Sequence, residues 1–441
     1  MTITCPKSIK IYITWLLRLL IGALFIFSGF TKAIDPWGTL FKVKDYLAVV
    51  NVPLWDNLQL SGVFALCALE FVIGIFILMG VLKRATPIAA ALVMCFMLPF
   101  SLWIAINNPV SDCGCFGDAW HISNWATFIK NIFISAGVIW LLFYNKLAYS
   151  LITPALQWIF LVASIGFIFI IELFGYNVQP LIDFRKYKIG EYLTDNESEE
   201  GASNQLGFIY EKNGEQKIFH DNELPDEDEG WTFVKRINLE NTDNPESIKP
   251  SSSKNFKIFE ADTDEDVDID DLIEYGESLI IMIPELSKIS PAVTWKLNSL
   301  YDWATVRDVK LFAVISGSKE DIDAWDDIAM PSYPVYCADD TTIKEVVRGN
   351  PSIVFLDNGI IKYKIMLSAV NIDLIEEDAN VSPDDLFGFD TKTTLFNCVA
   401  IYLACAGVLI CLSFTPKLFS LIGNRIKRNF SHDDKARHEE L

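Results

Sequence analysis

The chain has 441 residues, of which 51% are hydrophobic and 21% charged, yet its formal net charge is −21. Residues 176–392 contain 46 Asp and Glu against 20 Lys and Arg, a net charge of −26. Since the whole chain carries −21, the remaining residues carry +5. A hydrophobic, weakly basic part therefore flanks a strongly acidic part. Without clustered Lys and Arg, a nucleic-acid-binding surface is excluded. Nine cysteines are too few for a small disulfide-rich secreted domain.

Six apolar segments are long enough to cross a bilayer as helices. The first follows Lys7 and Lys10, as the core of a signal peptide would, but it is too long and no Ala-x-Ala cleavage site follows it. We therefore predict that it is retained as a span. The six predicted spans are residues 11–30, 58–82, 85–106, 125–144, 151–174 and 394–415.

Basic residues in the short loops predict the orientation, because such residues favour the cytoplasmic side. Lys83 and Arg84 lie between spans two and three, Lys146 lies between spans four and five, and further basic residues follow span six. All of them share one side if the N-terminus is cytoplasmic. We predict a multi-pass protein of the bacterial inner membrane, in contact with the lipid bilayer, with both termini cytoplasmic and residues 176–392 periplasmic.

The acidic segment begins with a linker that holds a small β element, over residues 177–254. Two β-rich runs, residues 207–210 and 217–219, flank Asn213-Gly214. Both residues of this pair tolerate positive φ, which favours a tight hairpin. Residues 231–234 predict a third strand.

Residues 255–392 alternate apolar strands with helical stretches, which predicts a sheet covered by helices on both faces. Pro351 precedes a final hairpin. This order resembles the thioredoxin/peroxiredoxin-like fold, in which that proline is commonly cis. The predicted strands are 255–260, 278–284, 309–316, 333–338, 352–356 and 360–366, and the predicted helices are 267–275, 286–305, 319–329 and 341–348.

The active-centre residues of that fold are missing. Residues 284–291, where the thioredoxin-like family carries Cys-x-x-Cys, contain no cysteine, so the domain is predicted to lack the dithiol reaction. Cys337, on an apolar strand, is interpreted as a core residue. The acidic run 262–271 begins like a calcium loop but lacks its turn glycine and final glutamate, and it predicts a solvated helix N-terminus.

A loop after span three carries the candidate chemistry. Residues 109–118 read Pro-Val-Ser-Asp-Cys-Gly-Cys-Phe-Gly-Asp, which places Cys113 and Cys115 beyond the membrane, where disulfides form. A disulfide across one glycine closes a tight ring, and strained, exposed disulfides are the labile, exchanging kind. The two cysteines are therefore candidate catalytic residues for thiol–disulfide exchange.

Other interpretations of the loop stay open. The pair is also compatible with a structural disulfide or two inert thiols, and a weaker alternative is a metal site with His121, near Asp112 and Asp118. No other metal site is predicted, no cofactor is identified, and the sequence does not support a quinone. The five thiols within the spans are interpreted as helix-packing residues: Cys67, Cys95, Cys398, Cys405 and Cys411.

The first part of the chain resembles the MauE/DoxX group of four-helix membrane proteins, over about residues 11–144. The matching features are Arg18-x-x-x-Gly22, Phe27-Ser28-Gly29-x-x-Lys32, Glu70 and the Asp-Cys-Gly-Cys-Phe-Gly loop. The group is associated with methylamine utilisation and thiol metabolism, which implies a redox role for the loop cysteines in the maturation of a periplasmic protein. Residues 181–190 resemble a longer subtype with an extracytoplasmic domain and one further span.

Three charged residues lie within the predicted spans: Arg18, Glu70 and Lys130. Ionisable groups in hydrocarbon are costly unless they are paired or hydrated. We predict that Glu70 pairs with Arg18 or Lys130 and so fixes the helix packing. A proton path or a substrate pocket is the alternative.

The predicted fold class is a multi-span α-helical membrane protein with an inserted periplasmic α/β domain. Its parts are a four-helix bundle (1–150), a fifth span (151–176), the acidic linker (177–254), the thioredoxin-like domain (255–392) and a sixth span with a basic tail (393–441). The predicted function is thiol–disulfide exchange with a periplasmic client protein through the loop cysteines. The alternative is a non-catalytic scaffold that recruits partner subunits.

Overall fold

The computed structural model describes residues 6–110, 113–194, 206–212, 215–220, 232–238, 256–261 and 265–439. The chain forms two compact units. The first unit contains Met1–Arg185, Ile365–Asn371 and Pro383–Leu441, and the second contains Lys186–Lys364 and Ile372–Ser382. The small β element and the larger sheet therefore fall in the same unit.

In the described part of the chain, six helices are long and apolar enough to cross a membrane, as predicted. The fold is that of a multi-span helical membrane protein. Five of the six membrane-length helices are α1 (Lys7–Ile34), α3 (Asp56–Met79), α4 (Ala85–Asn107), α5 (Asn124–Tyr144) and α6 (Gln157–Asn177). The sixth is the C-terminal helix, Thr391–Glu439, which continues well beyond the predicted end of its span at residue 415.

A helix that was not predicted, α2 (Pro36–Val49), lies between the first two spans. The Asp35 side chain accepts a hydrogen bond from the Gly38 amide, and Pro36 occupies the first helical position. Both features favour a helix start, because they satisfy or remove amides that have no partner within the helix.

Four helices of the first unit share a core. Ile21 of α1, Ile73 of α3, Met94 of α4 and Val138 of α5 are buried in one apolar cluster. A second cluster joins α1 and α3 to α6 and the C-terminal helix, where the rings of Phe167 and Tyr402 stack with centroids 4.4 Å apart. The first unit is therefore a four-helix bundle with two further helices packed on its α1–α3 face.

Glycines allow α1 and α3 to approach closely. A Cβ on Gly29 would lie 2.5 Å from the Phe71 amide nitrogen, and one on Gly74 would lie 2.5 Å from that of Ile26. Small residues at such crossings are the usual means of close helix packing in membranes. Gly62, also on α3, has no atom within 4 Å of an added Cβ.

We expect Gly29→Ala to lower the thermal stability of the purified protein, because the added methyl meets backbone atoms. Overpacking of this kind costs roughly 1–3 kcal/mol. Gly62→Ala, the matched control, should leave the unfolding temperature unchanged. Equal unfolding temperatures for the two variants would contradict the close α1–α3 contact.

The small β element is a three-stranded antiparallel sheet in the order β2-β1-β3. Its strands are β1 (Leu206–Lys212), β2 (Glu215–His220) and β3 (Thr232–Asn238). Lys212 pairs with Glu215, which confirms the predicted hairpin, although its turn residues lie outside the described residues. The predicted third strand is also confirmed, and it runs further than expected.

The larger sheet has seven strands in the order β10-β9-β6-β7-β8-β4-β5. Strands β6, β7 and β8 run parallel, and β9 is antiparallel to β6. All six predicted strands are present. The bounds are β4 Ile258–Glu260, β5 Asp266–Val267, β6 Glu277–Ile283, β7 Lys310–Ile315, β8 Val335–Cys337, β9 Ser352–Asp357 and β10 Ile360–Met366.

Two predicted helices were wrong in extent. Residues 267–275 contain the end of β5 and only a short helix, Asp270–Ile273, and residues 262–264 of the acidic run lie outside the described residues. The helix expected from residue 286 begins at Thr294, after two 3-10 turns. Pro291 explains the late start, because proline disfavours helical geometry in the residue before it. The other helices are Lys319–Ala329 and Asp340–Val346.

The Asn350–Pro351 peptide bond is cis, as predicted for Pro351. The Asn350 side chain donates a hydrogen bond of 2.7 Å to the Glu285 carbonyl, so this turn contacts the loop that lacks the dithiol. Cys337 lies on β8 and is half-buried, less enclosed than the core position predicted for it.

Candidate dithiol site

Cys113 and Cys115 lie in the loop between α4 and α5, and both are free thiols. Their sulfur atoms are 3.0 Å apart. Gly114 and Gly117 have φ values of +62° and +57°, in the left-handed region that favours glycine. These two residues bend the loop so that the thiols, separated by one residue, face each other.

Side chains from α1 and α2 hold the loop in place. The Tyr46 hydroxyl of α2 donates to the Cys113 carbonyl at 2.9 Å, and the Ser28 hydroxyl of α1 lies 2.7 Å from the Cys115 carbonyl oxygen. The buried Phe116 ring packs against Phe27, with centroids 5.3 Å apart. Both carbonyls of the thiol residues therefore contact side chains of the bundle.

A buried ion pair lies next to this loop. Lys32 Nζ is 2.8 Å from both carboxylate oxygens of Glu70, and both side chains are more than nine-tenths buried. The Ser28 hydroxyl is also 2.7 Å from Glu70 Oε2. Since a hydroxyl carries one proton, Ser28 donates either to Glu70 or to the Cys115 carbonyl. Ser28 thus links the ion pair to the dithiol loop.

The predicted pairing of Glu70 with Arg18 or Lys130 was wrong. Arg18 and Lys32 are both on α1, and at 1.5 Å per residue they are about 21 Å apart along its axis. Of these two residues of α1, Lys32 is the one level with Glu70. Arg18 instead donates to the Asn145 side chain at 2.7 Å and to the Tyr149 carbonyl at 2.8 Å, at the opposite end of the bundle.

Lys130 contributes to the dithiol site in another way. Its Nζ lies 4.2 Å from the centroid of the Phe116 ring, in a cation–π contact. This contact holds a positive charge beside the residue that follows Cys115. The Lys130 charge acts on the two thiols.

The two thiols differ in acidity. The hydrogen bond from the Cys113 thiol, with the positive charges of Lys130 and Lys32, lowers the pKa of Cys115 to about 6 against the opposing effect of burial. The same hydrogen bond, together with burial, raises the pKa of Cys113 well above that of an ordinary thiol. Thiolates are the reactive form of cysteine. The lower pKa of Cys115 favours the thiolate at Cys115 and the protonated thiol at Cys113.

We expect the rate of Cys115 alkylation by iodoacetamide to reach half its maximum near pH 6, since only the thiolate reacts. Mass spectrometry of the 108–123 peptide measures this in the reduced protein. In Cys113→Ala the donor is lost, and the midpoint should rise toward the ordinary value of about 8.5. A wild-type midpoint above pH 8 would contradict this assignment of the thiolate.

The metal alternative receives no support from the described residues, among which no three His, Cys, Asp or Glu side chains are grouped to hold an ion. His121 is exposed. Asp118 faces Lys42 at 3.7 Å, and Asp112 lies outside the described residues.

The interpretation of the span cysteines needs correction. Cys67 is buried between helices, and Cys398 and Cys405 are half-buried against the α6 cluster. Cys95 and Cys411 are exposed, because they occupy helix faces that point away from the bundle. Those two cysteines are not packing residues.

Several residues of the site were missed. Lys32 and Ser28 appeared only as members of a motif, although their spacing of four places them on one helix face. Tyr46 and Lys42 lie on the unpredicted helix α2. Glu172 of α6, fully buried near Cys67, was also missed, although it is an isolated carboxylate in an apolar run.

A cavity of about 400 Å³ lies in the bundle beside the loop. Both loop cysteines, Lys32 and Glu70 form its polar end. The rest of its wall is mainly apolar and comes from α1 to α5; it includes Val43, Leu47, Val50, Val93, Phe96 and Phe100.

Fold and site together define a helical membrane protein with a dithiol loop at one end of its bundle. Residues 10–144 match the model of the family described as "Methylamine utilisation protein MauE". This match confirms the predicted resemblance to the MauE family over the bundle. Residues 206–239 match a domain of unknown function, DUF8463. No curated protein matches the chain.

Proposed function

We propose that this chain is a membrane component of thiol–disulfide exchange, in which Cys113 and Cys115 exchange with an extracytoplasmic client protein. One observation carries the proposal: two free thiols face each other at 3.0 Å, and the environment stabilises one of them as a thiolate. A stabilised thiolate favours the reduced pair, so the corresponding disulfide is a good oxidant of client thiols. The MauE match supports a membrane component.

The exchange takes place in two steps that move two electrons from the client to the cysteine pair. A client thiolate attacks Cys115 in the oxidised pair, a mixed disulfide forms, and the electron pair of the broken S–S bond stays on Cys113. A second client thiolate then attacks the client sulfur of the mixed disulfide and releases Cys115. The client leaves with a disulfide. Two electrons and two protons have passed from the client to the cysteine pair.

For the second unit we propose a thioredoxin-like domain that holds the client without reacting with it. The parallel pair β6–β7, the antiparallel pair β6–β9, the neighbouring strand β10 and cis Pro351 before β9 support this fold. The segment 284–291 has no cysteine, which fits a binding role. The acidic charge of this region suits a client with basic segments.

We also propose that the dithiol loop faces the extracytoplasmic side of the bacterial inner membrane. The loops near the Arg18 end of the bundle carry Lys83, Arg84 and Lys146, and such residues favour the cytoplasm. In intact spheroplasts, a membrane-impermeant maleimide should therefore label Cys113 or Cys115. Labelling only after the membrane is opened would reverse the orientation.

Trapping of mixed disulfides tests the exchange itself. In Cys113→Ser, the Cys115 thiolate can attack the disulfide of an oxidised client, which is the reverse of the proposed exchange. No second loop thiol is present to complete that exchange, so client adducts should accumulate. Cys115→Ser, which keeps only the less acidic thiol, is the matched comparison and should trap about ten times less. The double variant should trap none. Absence of adducts in all three would refute exchange and favour a scaffold that recruits partners through the second unit.

A further inference from the structure

The cavity beside the dithiol loop reaches the face of the bundle that contacts lipid. Phe96 of α4 lines the cavity and is 65% exposed, and Val50 at the end of α2 lines it and is 48% exposed. Both are apolar, and Phe96 lies in the middle of a span. A ligand dissolved in the bilayer can therefore enter from the side, without crossing water.

The cavity has the size and composition of a small-molecule site. Its volume of about 400 Å³ lies within the range of roughly 300–1,000 Å³ that such sites occupy. Aromatic and aliphatic side chains form most of the wall, and three of them carry aromatic rings that can contact a planar ligand: Phe96, Phe100 and Tyr46. The polar groups are concentrated where the two thiols lie.

Repeated oxidation of clients requires an electron acceptor, because each cycle leaves Cys113 and Cys115 reduced. Among the described residues no group of His, Cys, Asp and Glu is arranged to hold a metal ion as that acceptor. An apolar cavity open to lipid disfavours a charged, water-soluble oxidant, since charge is costly to transfer into such a site. The cavity therefore favours an acceptor that is apolar, lipid-soluble and able to take two electrons.

Resting on the proposed function, we propose that the cavity binds a lipid-soluble quinone, which reoxidises the Cys113–Cys115 pair. The quinone ring occupies the polar end against the thiols, and its apolar tail leaves between Phe96 and Val50 toward the lipid. The sequence alone offers no sign of this ligand. The combination of a reduced dithiol with an apolar cavity open to lipid carries the proposal.

The electron transfer balances with the residues present. The Cys115 thiolate adds to a ring carbon, and a C–S bond forms while a quinone oxygen becomes a phenolate. Cys113, deprotonated, then attacks the Cys115 sulfur. The S–S bond forms, the C–S bond breaks, and its electron pair remains on the ring. The two ring oxygens take one proton from the Cys113 thiol and one from water, which gives a hydroquinone.

Lysines at the polar end stabilise the phenolate that develops in this step. Lys32, Lys42 and Lys130 all line the cavity. Lys42 Nζ lies close to the loop backbone, since it would be 3.2 Å from a Cβ added to Gly114. Positive charge at the place where negative charge develops lowers the barrier.

The test uses the full chain in nanodiscs. The protein is first reduced, the reductant is then removed, and the sample is kept free of oxygen. Decylubiquinone and menadione are the probes, and quinone absorbance and free thiols are followed together. We expect one quinone to be reduced for each dithiol oxidised. Cys113→Ser should form no disulfide and release no hydroquinone, and at most it should form a covalent Cys115 adduct. A bulky ring at Val93, which lines the cavity, should block entry. Val93→Trp should slow oxidation at least tenfold, and Leu92→Trp, on the exposed lipid-facing side of α4, less than twofold.

Diamide, a small water-soluble thiol oxidant, separates the two proposals and controls for folding. It should oxidise the wild type, Val93→Trp and Leu92→Trp at equal rates. If Val93→Trp resists diamide, Val43→Trp on α2 replaces it as the blocking variant. If diamide forms the disulfide but neither quinone does, the quinone site is refuted and thiol exchange stands. Equal quinone rates in the blocking and control variants would also refute the site.

Discussion

Cys115→Ser should abolish oxidation of the client while the protein remains at its wild-type level in the membrane. Cys115 has the lower pKa of the pair, and Cys113 alone cannot form the disulfide that the exchange uses. The loop remains held through the backbone carbonyls of both cysteines, which serine preserves. Activity should therefore fall to background, measured as the fraction of client with its disulfide formed. Immunoblots of membranes give the protein level.

The redox potential of the pair provides a second readout. A stabilised thiolate favours the reduced form, which makes the corresponding disulfide a stronger oxidant. We expect a potential above the limit of about −300 mV below which structural disulfides lie. Titration against glutathione buffers, with alkylation of free thiols, measures it. Thiols that stay reduced in oxidising buffer, or a Cys115→Ser protein lost from the membrane, would contradict the catalytic role.

Glu70→Gln should lower the stability of the bundle strongly, because it leaves the Lys32 charge buried without its carboxylate. Loss of one partner from a buried pair costs roughly 3–5 kcal/mol. Thermal unfolding in detergent and the amount of protein in membranes should both show the loss. The Lys32→Met/Glu70→Gln double variant should recover part of it, since no charge is then stranded.

Asp118→Asn is the matched control, because Asp118 faces Lys42 at 3.7 Å in a partly exposed position. Pairs of that kind contribute about 0–1 kcal/mol, so this variant should unfold near the wild-type temperature. A Glu70→Gln protein with normal stability but no activity would contradict the structural role. Glu70 would then act on protons at the dithiol, through Ser28.

Features with a local cause were predictable from the sequence. The six spans follow from the length of apolar runs, the hairpin from Asn213-Gly214, and the strands of the larger sheet from alternating apolar segments. The dithiol loop was recognisable because two cysteines and two glycines occur within five residues. The start of the helix after Pro291 was predicted too early. The apolar periodicity begins before Pro291, but proline disfavours helical geometry in the residue before it.

Which groups meet across the bundle was decided by the tertiary structure. Glu70 pairs with Lys32 and not with Arg18 because only Lys32 lies at its depth, and depth depends on how helices of different length are aligned. The acidity of Cys115 depends on a hydrogen bond and on two lysines from other helices. The helix α2, absent from the prediction, supplies part of the cavity wall. The burial of a site and the charges around it depend on residues that are distant in the sequence. Sequence spacing alone therefore does not determine which groups meet or how acidic a thiol is.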